Sequence, residues 1–447
     1  MNKSGLRAFF FFMIILTAQG KAFGNDVWTL QSCIDYALKN SPELQSAEAK
    51  IKTSGHGLDY QKALFLPRLD LNASTGYLHG DPVSPIAIVR NITDEGIKAG
   101  DSSGQYISAG LTLTAPIIRE GAIFAKNAPS VNMAAQQVSV DKSSYAAKKN
   151  EVIFGIGNSF FSVLRNNEDI KAAEEHLKSL KHAHDTAKSK FREGLLSKND
   201  LLISEVKLAS GEKERLIFIN QARLLMTDLT VKMGLDPTKS IPVSDGDFVL
   251  PELNSVERLI ETAIAGRFEI MAQEARTAMA KEALKLTENQ KYPTVDFVSS
   301  FAVANDYGSR NNALWIGGIQ VNVPLFDFGG IKSKAEGQKM KVLDEEQYLV
   351  SLKRQIAQEV ITAYTNIQNI RADISLREKI VEQSAENARL VRAQFNQNMV
   401  PLPLALNAEY DLYQQKKALV QSRYDLRNAY LNMVKSIGGS SITSLQK

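Results

Sequence analysis

Three histidines, His176, His182 and His184, lie close together in a stretch of helical pattern, and metal ligation is the first chemistry they suggest. Their separations of six, two and eight residues miss the i, i+4 spacing by which a helix turns two imidazoles toward one ion. A solvated helix face is the reading. Gly155-x-Gly157 has the composition of a phosphate cradle, but it lies inside a helical pattern instead of between a strand and a helix, so it points to close packing. Cys33 is the single cysteine, which excludes an intramolecular disulfide framework. It follows charged Lys21 and Asp26 instead of an apolar run, so a small buried residue is expected over a lipidated one. Asn91-Ile92-Thr93 has the form of a glycosylation sequon and carries little weight. Nothing here assembles an acid–base pair, an activated nucleophile or a metal site, so the chain reads as a non-enzyme with no cofactor and no metal.

The informative residues are instead two polar breaks between very long helical patterns. The first runs Phe191-Arg192-Glu193-Gly194-Leu195-Leu196-Ser197-Lys198-Asn199-Asp200; the second, Phe395-Asn396-Gln397-Asn398-Met399-Val400-Pro401-Leu402-Pro403-Leu404, comes 204 residues later. Past Gly121 about seventy residues read as helix with Pro129 near the start, a rod on the order of 100 Å at 1.5 Å per residue. A second helix returns to Gly234 and stops at Pro237. In the second half Leu349, Leu352, Ile356, Val360, Ala363, Ile367, Ile370 and Ile374 form a coiled-coil seam at steps of three and four. A helix pair precedes each rod: Leu30 to Lys39 with Ser41 to Leu66, then Val256 to Ala265 with Phe268 to Asn289.

Between pair and rod the period changes to two. Leu69, Leu71, Ala73, Thr75 and Tyr77 alternate with polar residues, as do Ile107, Ala109, Leu111, Leu113 and Ala115 up to Pro116. Val295, Phe297, Ser299, Phe301 and Val303, then Trp315, Gly317, Ile319, Val321 and Val323 up to Pro324, repeat this. The strands by themselves fit a membrane-barrel hairpin and a half-buried soluble hairpin equally well. The chain thus divides into a leader, 1–24, with Lys3, Arg7 and an apolar run from Ala8 to Ala18, and two repeats, 25–240 and 241–447, in one integrated domain. That apolar run is too short to span a membrane as a helix, and no later stretch approaches the roughly 20 apolar residues a span needs. The formal net charge of +4 falls to +1 (50 basic against 49 acidic residues) once Lys3, Arg7 and Lys21 leave with the leader, which argues against nucleic acid as a partner. Four strands cannot close a barrel in lipid, so a membrane reading needs a homo-oligomer, two chains giving eight strands or three giving twelve.

Leu30-x-x-Cys33-Ile34-x-x-Ala37-Leu38-x-Asn40-Ser41-Pro42-Glu43-Leu44, the strand entries Leu66-Pro67 and Tyr292-Pro293, the exit Val323-Pro324-Leu325-Phe326-Asp327-Phe328-Gly329-Gly330 and the turn Phe191-x-x-Gly194-Leu195 carry a resemblance. In their order and duplication, over essentially all of the sequence after the leader, the chain resembles the TolC family of outer membrane efflux channels. The resemblance implies a mainly α fold with a membrane β-barrel: a homotrimer whose twelve strands sit in outer membrane lipid above an α-helical periplasmic tunnel. It also implies a periplasmic adaptor (membrane fusion) protein and an inner-membrane pump as partners. It places Arg192, Gly194, Leu195, Ser197, Asp200, Asn398 and Met399 at the periplasmic tip where the adaptor docks, and Val400, Leu404 and Asn407 at the tunnel constriction. Asp200 matches an acidic residue that helps tie the closed tip. The second turn departs from the family pattern: Asn398 stands for the usual glycine, Phe395 for a gate tyrosine, Val400 for a gate arginine, and Leu404 and Asn407 for two acidic residues. Two readings follow, a tip closed by apolar contacts of Met399, Val400 and Leu404, or one stiffened by Pro401 and Pro403 with no gating role for them. The function expected is a passive exit duct for small-molecule efflux; a duct for type I polypeptide secretion and a periplasmic coiled-coil scaffold are the alternatives.

Overall fold

The computed structural model describes residues 27–78, 104–245, 250, 252–306 and 310–439. The leader and the sequon at Asn91 lie outside the described residues. The first half runs α1 (Leu30–Asn40), α2 (Pro42–Ala63), β1 (Arg68–Leu78), β2 (Gly104–Arg119), β3 (Ala122–Ile123), α3 (Pro129–Arg192) and α4 (Lys198–Met233). The second runs α5 (Val256–Gly266), α6 (Phe268–Glu288), β4 (Thr294–Asp306), β5 (Arg310–Asn322), α7 (Gly330–Asn396) and α8 (Leu402–Ser436). Helix pair, strand pair and helical hairpin recur in that order.

Two boundaries at prolines differ from the sequence expectation. The long helix starts at Pro129 and not past Gly121, because Pro129 fits the first helical turn, where its missing N–H costs nothing, and residues before it form β3 and a turn. Pro116 does not end β2. The strand continues to Arg119 through a register shift in which Pro116 pairs with Asp296 and Ile118 with Val295, so Ile117 is the extra residue of a bulge that accommodates the proline.

The strands form an antiparallel sheet in the order β1-β2-β4-β5, with β3 on β2. Register decides its character. Leu71 lies opposite Leu111, Leu111 opposite Phe301 and Phe301 opposite Trp315, an apolar row across all four strands. Two rows further along the same face Ala115, Phe297 and Ile319 align. Side chains alternate along each strand, so the opposite face holds Asp70, Thr112 and Ser300 in one row, with a Thr112–Ser300 hydroxyl hydrogen bond at 3.1 Å and a Ser74–Ser108 one at 2.7 Å. Leu69, Leu71, Ile107, Trp315 and Ile319 are exposed on the apolar face.

At 1.5 Å per residue, the 64 residues of α3 and the 67 of α7 each span on the order of 100 Å. Among the described residues their apolar stripes meet three larger cores, and α3 also touches a small one of Phe65, Ala122 and Ala128 through Val131. In the first half Cys33, Phe160, Phe161, Leu229 and Met233 pack together. Cys33 is fully buried, and burial pushes its thiol up to about 12, as suits an inert core residue. In the second half the expected seam buries Ile356, Val360 and Ile367 against Leu259, Tyr430 and Met433. Gly157 lies under Leu431, whose Cδ1 would be 2.5 Å from an added Cβ, so packing explains this glycine. No described helix is long and apolar enough to cross a membrane.

Candidate functional site

The third core lies where both hairpins turn, and there the repeat is exact in spacing. The α3 end closes with Leu195 N–H donating to the Lys190 carbonyl at 2.9 Å and Gly194 N–H to Phe191 at 3.0 Å. The α7 end closes with Met399 N–H donating to Gln394 at 2.9 Å and Asn398 N–H to Phe395 at 3.0 Å. Both are left-handed helix caps, at φ +74° for Gly194 and +60° for Asn398. No atom lies within 4 Å of where a Gly194 Cβ would be, so backbone angle alone favours glycine there, and asparagine tolerates the same angle in the copy.

The helices leaving the turns start differently. Ser197 caps α4: its Oγ accepts from Asp200 N–H at 3.1 Å and donates to the Asp200 carboxylate at 2.6 Å. Asp200 is therefore engaged within its own helix start. Pro401 caps α8, with Pro403 in its first turn and no side-chain cap. Among the residues expected at the tip, Arg192, Gly194, Leu195, Ser197, Asn398 and Met399 are exposed and Asp200 is half-buried. Val400 packs half-buried into the tip core with Leu180, Ala187, Phe395, Leu402 and Leu406. Leu404 and Asn407, one turn apart on α8, both stay exposed.

The sequence reading did not find the residue that joins the two turns. Lys190 is buried at the end of α3 and its ammonium donates to the carbonyls of Phe395 at 2.9 Å and Asn396 at 3.0 Å, and to the Asn398 side-chain oxygen. It also sits 4.8 Å from the Phe395 ring centroid. A cation thus satisfies the last carbonyls of α7 and meets the negative end of that helix dipole. Its only local signal was a lysine in a last helical turn.

A second contact between hairpins lies further up the rods. Glu409 of α8 is buried, accepts from Ser179 Oγ of α3 at 2.9 Å and pairs with Arg392 of α7. One step on, His176 stacks flat on Tyr413, with ring centroids 4.4 Å apart and an interplanar angle of 4°. The expectation that all three histidines face solvent is corrected here: His182 is exposed and His184 bonds Ser204 at 2.9 Å, but His176 is buried in the contact between the two halves. Burial lowers the His176 pKa below its usual value and, with the neighbouring Glu214 carboxylate, raises that of Tyr413. Among the described residues no group of three His, Cys, Asp or Glu is placed to hold a metal ion. The arrangement is mechanical: two helix turns held together by one lysine, with exposed apolar side chains beside it.

The family model described as outer membrane efflux protein matches residues 33–223 and 259–439. Outer membrane protein TolC of Vibrio cholerae is 21% identical over 426 residues, covering 92% of this chain and 91% of that protein. The solved structure of the outer membrane protein VceC from Vibrio cholerae superposes with a TM-score of 0.77 at 19% identity, over 92% of this chain and 96% of that one. The open state of the Neisseria gonorrhoeae MtrE outer membrane channel gives 0.72 at 16% identity, over 92% and 89%.

Proposed function

Because the chain belongs to the outer membrane efflux protein family, we propose that it is the outer membrane channel of a tripartite export system, a passive duct for small molecules. The observation that carries this is the sheet: one register aligns the apolar residues of all four strands on one face, and both outer strands, β1 and β5, have an open edge. In lipid an open edge leaves backbone groups unpaired at several kcal/mol each, so β5 of one copy pairs with β1 of the next. Three copies give a twelve-stranded barrel, the apolar face toward lipid and the Asp70, Thr112 and Ser300 face toward water. The helices continue it as a periplasmic tunnel, and the two repeats, 25–240 and 241–447, contribute alternately to its wall. Outer membrane fractionation and gel migration before and after heating test this. The expected result is a membrane-fraction trimer that collapses to monomer on heating; a soluble periplasmic monomer would overturn it.

At the tip, the exposed turn residues Arg192, Gly194, Leu195, Ser197, Asn398 and Met399 form the surface offered to a periplasmic adaptor, itself bound to an inner-membrane pump. Asp200 holds that surface by accepting a hydrogen bond from the Ser197 hydroxyl that caps α4. The constriction is apolar: Met399, 69% exposed, and Leu404, 47% exposed, are free to meet their copies, with Asn407 one turn higher, while Val400 supports them from the tip core. No acidic ring is formed by these side chains. Single-channel recording with trivalent cations on the periplasmic side is expected to show little block, and strong block mapped to this turn would exclude an apolar constriction.

A further inference from the structure

Every charged residue of β1, β2, β4 and β5 occupies a position on the polar face of the sheet. Side chains alternate along a strand, so β1 sets Arg68 and Asp70 on the side of Asn72, opposite Leu69 and Leu71. In β2 the bulge at Ile117 brings Arg119 to that same side, where it meets Asp296 of β4. Toward the far end of the sheet Asp306 of β4 is the register partner of Arg310 of β5. The register thus gives the polar face arginines and aspartates in equal number and leaves the apolar face without charge. Two of the pairs close within one chain at the end of the sheet nearest the helices, where Arg68 opens β1, Asp296 lies near the start of β4 and Arg119 closes β2. Arg68 Nε donates to both Asp70 carboxylate oxygens, at 2.7 and 2.8 Å. Arg119 Nη2 donates to Asp296 at 3.4 Å, and its Nη1 to the Leu64 carbonyl at 3.3 Å, just past α2. The Arg68 side chain is 75% exposed, and solvent leaves so open a pair little to add to the stability of the fold.

We propose that Arg68–Asp70 and Arg119–Asp296 form a charge-compensated collar where the barrel opens into the helical tunnel, so that the duct passes small solutes whatever the sign of their charge. The inference rests on the barrel reading above and assigns the cargo it admits. A ring of carboxylates around a pore gathers cations, and a ring of cationic side chains gathers anions. Asp70 and Asp296 are placed to make such an acidic ring, and each is held by an arginine of its own chain. Repeating the chain around an axis multiplies both signs alike, so the balance holds for any number of copies. Between the collar and the far end the Ser74–Ser108 hydroxyl pair adds polarity without charge. The cargo that follows is small molecules, cationic, anionic or neutral, in place of cations concentrated by an acidic wall.

The test is the zero-current potential of the purified mature protein in planar bilayers across a gradient of dilute KCl, where a Debye length of about 30 Å at 0.01 M lets wall charges act across the pore. The expected permeability ratio of potassium to chloride is about one. Arg68→Gln frees the Asp70 carboxylate and should shift the ratio several-fold toward potassium. Asp70→Asn should shift it several-fold toward chloride, and the double variant should return it to the wild-type value. Arg119→Gln and Asp296→Asn should give the same opposite shifts at the second pair, which decides the matter where a variant of the first fails to assemble. A marked cation preference in the wild type, or a ratio that none of the single variants moves, overturns the collar. Asn72→Cys and Leu71→Cys in a Cys33→Ala background separate that failure from failure of the barrel. A water-soluble cationic thiol reagent should alter the conductance at position 72 and not at 71. If it does not, or if no channel forms, the barrel reading fails and the collar with it.

Discussion

Neutral imidazole is the form that fits at His176. Its ring lies flat on Tyr413, close to Tyr410, with Glu214, Glu409 and Lys207 nearby and Lys417 over the Tyr413 ring. Burial dominates and lowers its pKa below the usual value of 6.5, so the unfolded chain binds a proton more readily than the folded one. The stability this residue contributes is therefore complete above about 6.5 and is lost as pH falls through the lower folded value. Asp169, whose carboxyl burial raises, acts in the opposite sense at the acid end of the range. The thermal midpoint should decline from pH 7 to about 5, and His176→Phe, which keeps the flat stack, should flatten that decline. An identical slope in the variant would remove His176 as the cause. The spacing of the three histidines could exclude a metal site, but it could not show this contact, because the stacking partner comes from the other half of the chain.

Local chemistry made most of the elements legible, and long-range contacts decided how they join. Gly234 could be read as a helix end from the sequence, and it and its copy Gly438, 204 residues later, both hold positive φ, +77° and +75°. What each end touches could not be read. A Cβ on Gly234 would fall 2.9 Å from the Asn40 carbonyl oxygen, and one on Gly438 3.0 Å from that of Gly266, so each hairpin's last helix ends against the joint of its own short helix pair. The opposite ends of the hairpins are joined by Lys190. Its ammonium bonds three acceptors around the α7 terminus, and hydrogen bonds to a charged group contribute about 1.5–3 kcal/mol each where both partners are buried. Lys190→Met keeps the stem and removes the charge. It should lower unfolding stability by about 2 kcal/mol and raise amide exchange at 395–399 ahead of the rest of α7. Unchanged exchange there would mean that Phe395 packing alone holds the turns together.

At the scale of the whole molecule, strand alternation was legible because a period of two needs only neighbouring residues, but it left open whether the face was meant for lipid or for a protein core. Register closes that question. Strands separated by nearly 200 residues align Leu111 with Phe301, and among the described residues nothing covers the resulting apolar face. The two sides of one strand then have opposite requirements. In the proposed barrel Leu71 faces lipid and its neighbour Asn72 the water-filled lumen, so an arginine at the first position costs about 2–4 kcal/mol near the bilayer midplane and at the second costs little. Leu71→Arg should reduce the heat-modifiable trimer recovered from outer membranes several-fold, while Asn72→Arg leaves it near the wild-type level and changes ion selectivity. Equal recovery of both variants would mean that the sheet does not face lipid. Loss of Asn72→Arg alone would place the faces the other way round. The comparison separates a barrel from a soluble sandwich, because in a sandwich an outward Asn72 and an inward Leu71 would show the same stability difference without any change in conductance.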